Sequence, residues 1–138
     1  MLCSYPPERL PLDVQNGSAG IGATVQQYTV NHSCSQEWRA DYVTNGYYRL
    51  VNQCSDKVLG VPNAAMGTIP LQTWDWNGSD AELWEIQAAA TSGYVTVINK
   101  GSGLAMDLAN ASPNPGTPVQ QYTSNAGPSQ QWQFHLEP

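Results

Sequence analysis

The sequence predicts an all-β, closed fold assembled from three similar repeats, and three observations carry that expectation. Gln36-Glu37-Trp38, Glu82-Leu83-Trp84 and Gln130-Gln131-Trp132 set tryptophans 46 and 48 residues apart in a chain of 138, and self-similarity at a fixed period marks repeat architecture. Short runs of Val, Ile, Thr, Tyr and Trp alternate with turn residues, among them twelve Gly and ten Pro, which is the pattern of many short strands. No long apolar face of helical period runs through the chain, so helix is expected for a turn or two at most.

The elements follow in order within repeats of about 1–46, 47–93 and 94–138, all in one domain large enough for its own core. A strand opens the second repeat at Tyr47-Tyr48-Arg49-Leu50-Val51-Asn52 and the third at Tyr94-Val95-Thr96-Val97-Ile98-Asn99. In that slot the first repeat carries Met1 to Leu10, with Pro6-Pro7, so its opening strand is the least secure element. Next come Leu12-Asp13-Val14, Leu59-Gly60-Val61 and Met106-Asp107-Leu108, each offset by 47. The third strands are Val25-Gln26-Gln27-Tyr28, Leu71-Gln72-Thr73-Trp74 and Val119-Gln120-Gln121-Tyr122. Trp38, Trp84 and Trp132 close each repeat as core residues, their Gln or Glu neighbours satisfying local backbone groups.

Composition excludes several functions. The formal net charge is −6, and the five basic residues Arg9, Arg39, Arg49, Lys57 and Lys100 are scattered, so nucleic acid, which is bound by neutralising phosphates, is not an expected partner. No stretch approaches the roughly 18 apolar residues of a membrane helix, and no membrane insertion is expected. Cys3, Cys34 and Cys54 permit at most one internal disulfide and have no metal-site spacing; no metal or cofactor is expected. His32 and His135 each stand alone and are expected at the surface. Met1 to Pro11 lacks the apolar stretch of a secretory leader, leaving an extracellular fragment of a longer protein and a cytosolic protein both open. Four Asn-x-Ser matches, at Asn16, Asn31, Asn77 and Asn110, fit the glycosylation acceptor pattern. A glycan on Asn31 would obstruct the pocket expected beside it, which points to a source or compartment without that modification.

Strand alternation places Gln26 with Tyr28, and Gln120 with Tyr122, opposite the core-facing Val25 and Val119. An outward aromatic ring beside amides and a carboxylate suits a sugar, whose CH face packs on a ring while its hydroxyls donate to the carboxylate. Asp13 and Asp107 could instead be turn formers, but Gly60 shows that the turn does not demand Asp.

With these motifs, about residues 10 to 138 resemble the ricin B-type lectin domain, a β-trefoil with Gln-x-Trp repeats. The resemblance implies a non-catalytic carbohydrate-binding domain, its partners glycans or polysaccharides and its expected ligands galactose-type or related sugars. In the first repeat it implies Asp13 as hydroxyl acceptor, Gln26 on the rim, Tyr28 as stacking ring, Asn31 as polar contact and Gln36 as the residue orienting the Asp. In the third repeat Asp107, Gln120, Tyr122, Asn125 and Gln130 take the same parts. Ser35 and Ser129 replace the family's Asn before the Gln, which implies one weakened hydrogen bond. The second repeat keeps Gln72, Trp74 and Asn77 but has Gly60 for the Asp and Glu82 for the Gln, so it is expected to be silent.

Similar domains are attached to xylanases and other secreted polysaccharide hydrolases, so the chain could be a targeting module of such an enzyme. An inhibitor of proteases on the same fold would need a protruding rigid loop, for which Ser112 to Pro118 is the candidate. Catalysis by this chain is not expected, because a glycosidase sets two carboxylates against one bond and here Asp recurs singly. Oligomeric state is not legible.

Overall fold

The computed structural model describes residues 1–4 and 10–135. The first repeat contributes β1 (Leu2–Ser4), β2 (Leu12–Val14), β3 (Ala23–Gln27) and β4 (Trp38–Thr44). The second contributes β5 (Tyr47–Asn52), β6 (Val58–Gly60), a two-residue β7 (Ile69–Pro70), β8 (Gln72–Trp74) and β9 (Trp84–Ala88), and the third β10 (Val95–Asn99), β11 (Ala105–Leu108), β12 (Val119–Tyr122) and β13 (Trp132–Phe134). The helical content among these residues is six single 3-10 turns, as the composition predicts.

Six strands pair antiparallel in the order β1, β13, β10, β9, β5, β4 to make the wall of a barrel. Three hairpins, β2 with β3, β6 with β8 and β11 with β12, close one end. At their junction Val25 N donates to Leu71 O at 3.1 Å and Leu71 N to Val119 O at 2.9 Å, and these three side chains are fully buried. This is a β-trefoil. The opening strand of the first repeat forms despite its aberrant sequence, because Leu2, Cys3 and Ser4 pair with Phe134, Gln133 and Trp132; the Pro6-Pro7 and Arg9 part of that segment lies outside the described residues.

The repeated tryptophans do more than fill the core. Trp38 Nε1 donates to Leu12 O at 3.0 Å, Trp84 to Leu59 O at 3.0 Å and Trp132 to Met106 O at 3.1 Å. Each indole thereby ties the end of its repeat to the residue immediately before position 13, 60 or 107. The Asn residues that end β5 and β10 bind the preceding repeat's last turn, Asn52 Nδ2 to Ser35 O and Asn99 Nδ2 to Ala81 O, both at 3.0 Å.

Two buried glutamines tie the repeats to one another. Gln27 Nε2 donates to Ser112 O at 2.9 Å and Asn114 O at 3.0 Å in the third repeat, and Gln121 Nε2 to Ala65 O and Gly67 O in the second, both at 2.8 Å. The corresponding position in the second repeat is Thr73, whose buried hydroxyl has no partner among the described residues. Through the Gln27 bonds, and through Thr117 Oγ1 donating to Asn114 O at 2.7 Å, the Ser112 to Pro118 segment is drawn against the body of the fold.

Cysteine usage resolves into one disulfide, Cys34–Cys54, which joins the last turn of the first repeat to the loop after β5 across 20 positions; Cys3 is buried in β1. No helix among the described residues is long and apolar enough to cross a membrane.

Replacing Trp84 by Phe should destabilise the fold by about 1–3 kcal/mol, chiefly by leaving the Leu59 carbonyl buried without its donor, as read from the urea midpoint followed by circular dichroism. Removing the disulfide as Cys34→Ser/Cys54→Ser should cost about 3 kcal/mol, the chain-entropy value for a loop of this size, in the same measurement.

Candidate functional site

One residue of each hairpin's first strand, Asp13, Gly60 or Asp107, faces away from the core. Leu12 and Val14 are buried inward, so the residue between them points to the opposite face. Register then sets Asp13 directly across from Gln26, Asp107 across from Gln120, and Gly60 across from Gln72. Three residues further on, Asn16, Asn63 and Asn110 all take left-handed backbone, with φ of 58°, 55° and 56°, a conformation Asn tolerates better than most residues. These turns make one wall of each cavity.

The opposite wall is the segment between the aromatic and the Gln-x-Trp motif. Asn31 N donates to Gln36 Oε1 at 3.0 Å, Gln36 Nε2 to Thr29 O at 2.8 Å, and Ser33 N to Asn31 Oδ1 at 2.9 Å. The third repeat repeats the pattern, with Asn125 N to Gln130 Oε1 at 2.9 Å, Gln130 Nε2 to Thr123 O at 2.8 Å and Gly127 N to Asn125 Oδ1 at 2.8 Å. The Gln of the motif is therefore a brace for this loop.

In the first repeat this corrects the role expected of Gln36. The donors that hold Asp13 are Gln26 Nε2 on Oδ2 at 3.2 Å and Ser35 Oγ on Oδ1 at 2.8 Å, while Gln36 spends its amide on the loop. Gln26, expected on the outer rim, is buried for the same reason. In the third repeat Gln130 does reach Asp107 Oδ2 at 2.9 Å, joined by Gln120 Nε2 on Oδ1 and Ser129 Oγ on Oδ2, both at 3.2 Å. Ser35 and Ser129, expected to weaken the site, supply hydrogen bonds to the carboxylate themselves.

The expected residues converge. Asp13, Gln26, Tyr28 and Asn31 line one cavity of about 520 Å³, to which Gly116 of the third repeat also contributes. Asp107, Gln120, Tyr122 and Asn125 line a smaller one of about 220 Å³. Gln36 and Gln130 are fully buried behind these walls. Tyr28 and Tyr122 are 41% and 43% exposed while Asp13 and Asp107 are each 4% exposed, so each cavity has an open aromatic side and a recessed carboxylate floor. Sequence reasoning missed Ser35 and Ser129 as partners of the Asp, and missed Asn16 and Asn110 as walls; their constant offset from Asp13 and Asp107 was the available signal. His32 is exposed and His135 half-buried. Among the described residues no three His, Cys, Asp or Glu side chains are grouped to hold a metal ion.

The second repeat differs. Glu82 Oε1 accepts from Asn77 N at 2.8 Å, and Ser79 N donates to Asn77 Oδ1 at 2.8 Å, so the loop brace survives with a carboxylate in place of an amide. Burial pushes the Glu82 carboxyl above the usual range; the Asn77 N–H opposes this and the nearby Asp75 charge adds to it. The cavity, about 460 Å³, is lined by Trp74, Val61, Ala64, Ala81, Ile21 and Glu82 among others.

Comparison with known proteins agrees with this geometry. The family described as ricin-type beta-trefoil lectin domain-like matches residues 8–74, 36–122 and 80–138. Among solved structures, the chain is similar to the designed three-fold symmetric protein ThreeFoil, with 34% identity over 96% of this chain and 94% of that one and a TM-score of 0.91. It is similar to 1,3Gal43A, an exo-beta-1,3-galactanase from Clostridium thermocellum, with 28% identity and a TM-score of 0.93, covering 99% of this chain but 29% of that one. The Rhizoctonia solani agglutinin matches with 25% identity over 99% of this chain and 92% of that one, TM-score 0.86. No curated protein matches the chain.

The raised Glu82 pKa fixes a sign. Between its ordinary value of 4.5 and its higher folded value, the folded state holds more protons than the unfolded state, so this group lowers stability as pH rises through that window. Glu82→Gln should therefore raise stability at neutral pH, with the gain shrinking below about pH 4.5; denaturant midpoints across pH 4 to 8 check this, and an unchanged difference at all pH values would contradict it.

Proposed function

The chain belongs to the ricin-type β-trefoil lectin family, and from that premise we propose that it is a non-catalytic lectin domain holding galactose-type or related sugars at the first and third repeats. The observation that carries this reading is the recessed, pre-oriented carboxylate facing an exposed tyrosine in both cavities. A pyranose seated there lays its CH face on Tyr28 or Tyr122, and its hydroxyls donate to the acceptor positions left on Asp13 or Asp107. Asn31 and Asn125, whose Oδ1 atoms accept from Ser33 N and Gly127 N, keep amide N–H groups for a ring or hydroxyl oxygen.

The two sites are not equivalent. An ionised carboxylate has about four lone-pair positions. Asp13 receives two hydrogen bonds and keeps about two positions for ligand hydroxyls; Asp107 receives three and keeps about one. The first repeat, with the larger cavity, is the stronger site on this reading. Two sites on one rigid body gain avidity on a branched or polymeric glycan.

Placement outside the cell fits the disulfide, since such bonds persist in oxidising compartments. A second reading, a targeting module within a polysaccharide hydrolase, is favoured by the galactanase likeness, in which this chain spans less than a third of the longer protein. On either reading the chain itself binds and does not cleave.

Titration with galactose, lactose and arabinose should show saturable binding near two sites per chain. Asp13→Ala should weaken binding more than Asp107→Ala, and the double variant should lose retention on a sugar matrix while keeping its circular dichroism. Undiminished retention by the folded double variant would sink the site assignment.

A further inference from the structure

Three departures meet in the second repeat. Gly60 stands where Asp13 and Asp107 stand, Ala81 where Ser35 and Ser129 stand, and Glu82 where Gln36 and Gln130 stand. The first two remove the carboxylate and the hydroxyl that together make a diol anchor. The third restores a carboxylate at a neighbouring point: in the third repeat the equivalent positions touch, Gln130 Nε2 lying 2.9 Å from Asp107 Oδ2.

The substitutions are fitted to one another. A Cβ at position 60 would lie 3.2 Å from Glu82 Cγ, tighter than ordinary contact, so Glu82 occupies space that the smaller residue leaves. Glu82 also keeps the brace to Asn77 N that Gln36 and Gln130 make to Asn31 and Asn125. A glutamine would serve that brace equally and at lower desolvation cost. The brace by itself therefore does not require the carboxylate.

Its surroundings say what else the carboxylate can do. Asp13 and Asp107 are held by two and three side-chain donors, whereas the hydrogen bond that Glu82 receives comes from one backbone N–H, leaving acceptor capacity in a cavity it lines. The walls are the Trp74 indole, Val61, Ala64 and Ala81, with Ile21 of the first repeat at the lip. The other charged residue lining this cavity, Asp75, is already paired with Lys57 at 3.1 Å. A fitting ligand brings one neutral donor and a small apolar group beside it. A diol held through its hydroxyls offers no methyl to these walls, and an ammonium would give up its hydration against them.

We propose that the second repeat is a pocket for N-acetylated amino sugars, the acetamido N–H donating to Glu82 and its methyl packing on Trp74, Val61 and Ala81. This rests on the lectin reading above and assigns the second repeat a specificity of its own, distinct from that of the first and third.

The test uses the Asp13→Ala/Asp107→Ala protein, whose hairpins should tolerate the change because the Gly60 hairpin keeps the same register and the same indole bond. It is titrated with N-acetylglucosamine and N-acetylgalactosamine, with glucosamine and galactosamine, and with glucose and galactose, by tryptophan fluorescence and calorimetry. The expected result is saturation near one site per chain by an N-acetylated sugar, at least tenfold weaker binding of its free-amine and hydroxyl counterparts, and at least tenfold loss on adding Glu82→Gln, which turns the acceptor into a donor and keeps the loop brace. If the double variant does not fold, Glu82→Gln in the otherwise unaltered chain should lower the stoichiometry for the N-acetylated sugar by one and leave galactose binding unchanged. Equal binding of acetylated and free-amine sugars, or binding unaffected by Glu82→Gln, overturns the proposal. Galactose binding by the unaltered chain with no acetamido-dependent site overturns this inference alone; no sugar binding by that chain overturns it together with the lectin reading.

Discussion

The structure hangs on one hydrogen bond used three times, from a buried indole N–H to the carbonyl of Leu12, Leu59 or Met106. Burying tryptophan removes a large apolar surface from water, but its N–H must be paired or the gain is forfeited. The acceptor chosen is the residue just before position 13, 60 or 107. The same contact that completes the core therefore fixes where Asp13 and Asp107 sit, and stability and binding geometry share a cause. Gly60 demonstrates the separation of the two roles, because its hairpin keeps the indole bond and the register with no side chain to present.

Around that constraint the repeats are free to diverge. The loop brace accepts Gln or Glu, since what it requires is an oxygen for the N–H of Asn31, Asn77 or Asn125. The clamp between repeats is made by Gln27 and Gln121 and lapses at Thr73, whose side chain offers a hydroxyl in place of an amide. Each lapse is local, because the threefold junction of Val25, Leu71 and Val119 and the barrel wall carry the packing. Divergent binding surfaces can thus be mounted on one shared frame.

Much of the fold was legible in the chain. The Trp period, the apolar-Asp-apolar triplets and the Val-Gln-Gln-Tyr strands marked the repeats and the residues that line their cavities, and strand alternation placed Asp13 and Tyr28 toward one cavity. The partition of hydrogen bonds was not legible. Gln36 and Gln130 share a motif and a brace, yet it is Gln130 whose amide lies 2.9 Å from an Asp carboxylate, while Asp13 is held by Ser35 at 2.8 Å and Gln26. Which donor is used depends on how the folded loops set the side chains against one another, and residue type does not encode that. The opening strand was likewise insecure on its own sequence, because what holds Leu2–Ser4 is pairing with β13 at the far end of the chain.

What the sequence determined by itself was the period, the strand alternation and the inventory of one carboxylate and one ring in each of the first and third repeats, since these follow from side-chain type and spacing. What only the tertiary structure decided was which cysteines join, which amide serves the loop and which the carboxylate, and how Gly60, Ala81 and Glu82 combine into a cavity unlike its two counterparts. Those outcomes depend on contacts between residues remote in the chain, where shape and distance, rather than pattern, set the energy.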